Sequence, residues 1–79
     1  MKKAERYLNL TNMFLSGEEI TVDKYMKKYD LVYKTAQRDL NEYQSIVYNT
    51  LGLTINVERH NSGWVYQARN AEQVILNFK

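Results

Sequence analysis

Apolar residues between Ala4 and Ser16 recur at intervals of three and four. Ala4, Tyr7, Leu8, Thr11, Phe14 and Leu15 form one line, and Leu10 and Met13 widen it. The spacing predicts a first helix, mostly buried, closed by Gly17 in a left-handed conformation. Glu18-Glu19 reads as a polar connector. Thr21 is placed to cap a second helix with its hydroxyl, and Asp23 sits where the positive end of the helix dipole favours an anion. That helix, Val22 to Tyr29, turns Val22, Tyr25, Met26 and Tyr29 inward and Lys24, Lys27 and Lys28 to water. Only Asp30-Leu31-Val32 separates it from a third helix, which starts at Tyr33 and runs toward Thr50 because no breaker precedes Gly52.

On the third helix Ala36, Leu40, Tyr43 and Val47 fall in one line. At about 100° per residue, Lys34, Arg38, Asn41 and Ser45 fall opposite, with Gln37 beside them. The period then changes to two. Thr54 through Arg59 alternates, His60-Asn61-Ser62-Gly63 has turn chemistry, and Trp64-Val65-Tyr66-Gln67-Ala68 is rich in strand formers, which together predict a β-hairpin. Val74, Ile75 and Phe78 at helical spacing suggest a last short helix. The expected class is α+β: residues 1–69 form three helices and a two-stranded hairpin, and residues 70–79 a C-terminal helix.

Composition narrows the chemistry. The 79 residues contain no Cys and one His, which excludes thiolate metal sites, Cys nucleophiles and multi-histidine centres. Asp23, Asp30, Asp39 and Glu42 do not converge on one helix face with a His or Lys, so neither an enzyme nor a bound metal or cofactor is expected. No apolar run approaches the roughly 18 residues of a membrane span, and Met1-Lys2-Lys3-Ala4-Glu5-Arg6 lacks the apolar stretch of a signal peptide. The expectation is a cytoplasmic domain without a membrane partner. A chain this short buries only about 60% of its unfolded surface, so a compact helical core or a partner surface must hold it together, and dimerisation is expected. Val74, Ile75, Leu76 and Phe78 would supply that surface in a homodimer.

The net charge of +2 is too weak to announce a nucleic-acid binder, but its placement says more. Through Arg38 there are eight basic residues and five acidic ones, an excess of +3, and the remainder carries −1. Three helices and a hairpin, with a tight joint between the second and third helices, is the order of elements in a winged helix-turn-helix, whose third helix enters the DNA major groove. Lys34, Gln37, Arg38, Asn41 and Ser45 are the residue types that reach base edges and phosphates: Arg reads guanine, Gln or Asn reads adenine, Lys or Ser holds the backbone. The alternative is a solvated helix face on a protein-contact module of a replication or scaffold complex.

The run from Thr21 to Leu40 resembles the N-terminal DNA-binding part of DeoR-like and WYL-containing bacterial repressors. The matches are Thr35, Gln37, Arg38, Asp39 and Leu40 in the recognition helix. The departures are Asp30 for the usual Gly, Val32 for the Ser cap and Ala36 for an Ile; Val32 has no side-chain cap to offer. Ser62-Gly63-Trp64-Val65-Tyr66 is similar to the family's wing strand, which would turn Trp64 and Tyr66 inward. The resemblance implies a small regulator of a bacterium, plasmid or phage, or an excised domain of one, and it carries no ligand-sensing part over to this sequence.

It also implies that Lys34, Thr35, Gln37 and Arg38 contact double-stranded DNA. Tyr33 either donates to a phosphate or packs; Lys24, Lys27 and Lys28 either anchor phosphates or are simply solvated. Arg59, His60, Asn61 and Ser62 are either a wing tip that meets the minor groove or backbone, or an ordinary turn. Asp39 would orient Arg38 or pair with a lysine of the second helix.

Overall fold

A computed structural model describes residues 2–78. It runs α1 (Lys3–Leu15), β1 (Ile20–Thr21), α2 (Val22–Tyr29), α3 (Tyr33–Leu51), β2 (Ile55–His60), β3 (Gly63–Ala68) and α4 (Ala71–Asn77). The local reasons for these limits are visible. Thr21 Oγ1 accepts from the Lys24 backbone N–H at 3.0 Å and starts α2. Asp30 ends it in the left-handed region, φ 53°, doing there what glycine usually does, and the following N–H of Leu31 returns to the Met26 carbonyl at 2.9 Å. Val32 precedes α3 without a side-chain cap, and Gly52, φ 71°, closes it.

The hairpin pairs β2 with β3 from Ile55↔Ala68 to His60↔Gly63, leaving Asn61 and Ser62 as the two-residue turn. An element the sequence did not announce is β1. It pairs antiparallel with β3 through Ile20↔Tyr66 and Thr21↔Val65, so the sheet order is β1-β3-β2 and β3 is central. Two residues, the second of them the helix cap itself, are too short to show any period of two. The core joins Leu10 and Phe14 of α1, Tyr25 of α2, Leu40, Tyr43 and Val47 of α3, Ile20, Leu53, Ile55 and Tyr66 around the sheet, and Val74 of α4.

Three expectations are corrected. The apolar line of α1 is rotated: Leu10 is fully buried at its centre, whereas Leu8 is 64% exposed and Ala4 is exposed too. Trp64 is not turned into the core but stays 39% exposed, because the space between this part of the hairpin and α3 is an open groove, and only Tyr66 is buried. Asp39 pairs neither with Arg38 nor with a lysine of α2.

Asp39 is instead 1% exposed and faces Arg6 of α1, whose Nη2 donates to its Oδ2 at 2.8 Å. The Tyr25 hydroxyl of α2 donates to the same oxygen at 3.2 Å and accepts from Arg6 Nε at 3.2 Å. Tyr7 adds a bond from its hydroxyl to the Asp39 backbone carbonyl at 3.1 Å. The carboxylate beside it keeps Arg6 charged, and burial pushes the Tyr25 hydroxyl up to about 12. A second polar pair crosses the same helices, the hydroxyls of Thr11 and Tyr43 at 2.8 Å. Among the described residues no buried side-chain N or O lacks a hydrogen-bond partner. At the other end of the molecule Asn70 fastens two loops: its Oδ1 accepts from the Thr54 N–H at 2.9 Å and its Nδ2 donates to the Gly52 carbonyl at 2.9 Å.

Two outcomes are expected. Arg6→Met leaves the Asp39 carboxylate buried without its cation and lowers stability by about 3 kcal/mol or more in a denaturant titration, whereas a surface change such as Lys27→Met has little effect; equal losses would remove the buried pair from the account. In alkali, unfolded tyrosines ionise near pH 10 and Tyr25 in the fold only near 12. The unfolded chain therefore releases its proton first, and the stability present below pH 10 falls as pH rises from about 10 to 12. Denaturant titrations across that range show the decline, and it is shallower in Tyr25→Phe.

Candidate functional site

The buried side of α3 is Ala36, Asp39, Leu40, Tyr43 and Val47. On the opposite side Lys34, Arg38, Asn41 and Ser45 are exposed, Gln37 is half-buried at its edge, and Tyr33 and Thr35 flank the first turn, exposed and half-buried respectively. Among the described residues Lys34 and Arg38 have no acidic partner; of the acids on α3 itself, Asp39 is engaged by Arg6 and Glu42 by Lys3 at 2.9 Å. Two cations and two amides thus stand along one helix face with their hydrogen-bonding capacity mostly unspent.

The hairpin borders this face on one side. An open groove of about 230 Å³ runs between them, lined by Gln37 and Asn41 of α3 and by Val57, Trp64 and Tyr66 of the hairpin. Alternation puts Arg59 on the same side of the strand as Val57, and its guanidinium lies 5.8 Å from the Trp64 ring centroid, opposite it in the ladder. Across the groove the Tyr66 hydroxyl donates to Asn41 Oδ1 at 2.9 Å. Burial, with Tyr33 close by, raises the Tyr66 hydroxyl above the ordinary tyrosine range, so it keeps its proton to donate.

His60 is separated from Arg59 by the same alternation. It lies on the other face of the hairpin, with its Nε2 3.1 Å from Glu58 Oε2, while Asn56 donates to Glu58 Oε1 at 3.0 Å. The Asn56 bond and the His60 contact hold the Glu58 carboxyl below its usual range. Asn61 and Ser62 are exposed at the turn. On α2, Lys24 is 3.5 Å from Glu18 and Lys27 is 3.1 Å from Asp23, whereas Lys28 rests over the Tyr29 ring at 5.9 Å and has no acidic partner among the described residues.

The predicted contact residues therefore fall into two groups. Lys34, Gln37, Arg38 and Asn41, with Arg59, share one side of the molecule with the Trp64 groove. His60 is on the other face of the hairpin, and Lys24 is engaged by an acid. Sequence reasoning missed the Tyr66–Asn41 bond and the place of Trp64 in the groove; the strand position of Tyr66 showed its burial but not what its hydroxyl would meet.

Among the described residues no three His, Asp or Glu side chains are grouped to hold a metal, and no helix is long and apolar enough to cross a membrane. In comparisons with family models, curated proteins and solved structures, nothing matches this chain.

Proposed function

We propose that the chain is a winged helix-turn-helix that binds double-stranded DNA sequence-specifically, as a small cytoplasmic transcriptional regulator acting as a homodimer. The observation that carries this reading is the outer face of α3, where Lys34 and Arg38 are exposed without acidic partners beside Gln37 and Asn41. It agrees with the resemblance to DeoR-like and WYL-containing repressors. With α3 in the major groove, Arg38 takes guanine O6 and N7, the amides of Gln37 and Asn41 read base edges, and Lys34 and Tyr33 hold phosphates. The hairpin sets Arg59 against the adjacent strand, and Asn61 and Ser62 at the turn follow it. Lys28 is the better placed α2 anchor, since Lys24 must first leave Glu18. The homodimer reading rests on α4 and the residue that closes it, where Leu76 and Phe78 are 65% and 69% exposed.

Binding to duplex DNA should then depend steeply on salt. Each phosphate neutralised adds about 0.9 to the slope of log affinity against log salt, so a dimer with three or four contacts per subunit gives roughly −5 to −7. Arg38→Ala is expected to weaken specific binding by about 1 to 3 kcal/mol and relax base preference while the domain melts as before. Arg59→Ala lowers the salt slope by about one unit per subunit and spares base preference. Weak binding with a flat slope, alike for every duplex, would exclude DNA as the ligand and leave the α3 face to a protein partner. The dimer is tested separately by sedimentation: Leu76→Ser with Phe78→Ser yields a monomer, and a wild-type chain that sediments as a monomer at high concentration refutes it. Because Val74 is buried, the two serines test the surface without removing a core residue.

A further inference from the structure

The amide of Asn41 is the one group on the α3 outer face that is fixed from behind. Among the described residues the Lys34 and Arg38 side chains have no hydrogen-bond partner, whereas Asn41 Oδ1 accepts from the Tyr66 hydroxyl at 2.9 Å. An exposed Asn turns freely about its last torsion and presents donor or acceptor edges indifferently. Here Oδ1 faces the Tyr66 hydroxyl, which donates to it. The hydroxyl occupies one lone pair of Oδ1 and leaves the second lone pair and both Nδ2 protons uncommitted. Tyr66 is itself immobile, being 3% exposed in the central strand and paired with both Ile20 and Val57.

We infer that Tyr66 is a positioning residue for sequence readout, holding the Asn41 amide so that it selects adenine at one position of the bound duplex. The uncommitted edge is the one adenine requires, with Nδ2 donating to N7 and the remaining Oδ1 lone pair accepting from the N6 amino group. A flipped amide would set donor against donor and acceptor against acceptor. The inference rests on duplex DNA being the ligand, and it adds that a hairpin residue which touches no base determines one letter of the site. In energetic terms the bond to Tyr66 restrains the Asn41 side chain before binding, so part of the ordering cost is already met in the free protein.

The test is selection of binding sites from a random-sequence duplex library with wild type, Tyr66→Phe, Asn41→Ala and the double variant. Tyr66→Phe keeps the buried ring and removes only the hydroxyl. Its preference for adenine at one position is expected to fall about three- to tenfold, with the salt slope and the other positions unchanged. Asn41→Ala loses the same position, and adding Tyr66→Phe to it changes nothing further. A mere stability role would shift melting and overall affinity without singling out a position. An unchanged preference in a folded Tyr66→Phe overturns the inference while leaving DNA binding intact; a wild type that binds no duplex overturns both. If Tyr66→Phe does not fold, nitrogen relaxation of the free wild type decides: the Asn41 side-chain amide is expected to be as rigid as that of Asn70 and stiffer than that of exposed Asn49, and a mobile Asn41 refutes the inference.

Discussion

The contact on which the arrangement of the helices depends is the buried charge pair of Arg6 and Asp39, closed into a triangle by the Tyr25 hydroxyl. Each corner comes from a different helix. Apolar packing alone tolerates small rotations and slides of a helix, because one methyl contact replaces another at little cost. A carboxylate taken out of water does not: its partners must stay within hydrogen-bonding distance or the desolvation penalty returns in full. The triangle therefore fixes the rotation of α3 about its own axis. Since Asp39 and Arg38 are successive residues, locking one side chain inward sets the direction in which the other leaves the helix.

Tyrosines extend this logic through the core. Tyr7 packs edge-on to Tyr43, Phe14 stacks on Tyr43, and Tyr25 meets Tyr29 edge-on. Their hydroxyls are spent on groups of other helices: Tyr7 on Asp39, Tyr43 on Thr11, and Tyr29 on the Asn9 side chain at 3.2 Å. So small a chain gains large apolar surfaces from these rings and directional bonds from their tips. The far end is held differently, by one side chain: Asn70 joins the loop after α3 to the turn into α4, which keeps the base of the hairpin at a set distance from the end of the long helix.

Much of this was legible in the residues. The limits of α2 follow from the Thr21 cap and the three-residue joint; the outer face of α3 follows from its period; the hairpin turn follows from Asn61-Ser62-Gly63. The triangle was legible in principle too. Asp39 lies between Ala36, Leu40 and Tyr43 on the apolar side of its helix, and Arg6 lies beside Tyr7 and Leu10, so two opposite charges occupied positions that only a buried pair could reconcile. What could not be read were relations between distant residues with no periodic trace. The strand Ile20–Thr21 exists because β3 has an edge to offer it, Trp64 lies across an open groove from α3, and Tyr66 reaches Asn41 across that groove. Each depends on how assembled elements meet.

The alternation of the hairpin has a physical result of its own. Arg59 follows Glu58 directly, and adjacent strand residues face opposite ways, so the ribbon is positive on the groove side and negative on the back, where Glu58 sits with His60. A thin sheet with opposite charge on its two faces experiences a torque in the field of any polyanion. Two neighbouring letters of sequence thus give one thin ribbon two faces of opposite charge, each aimed at a different side of the molecule.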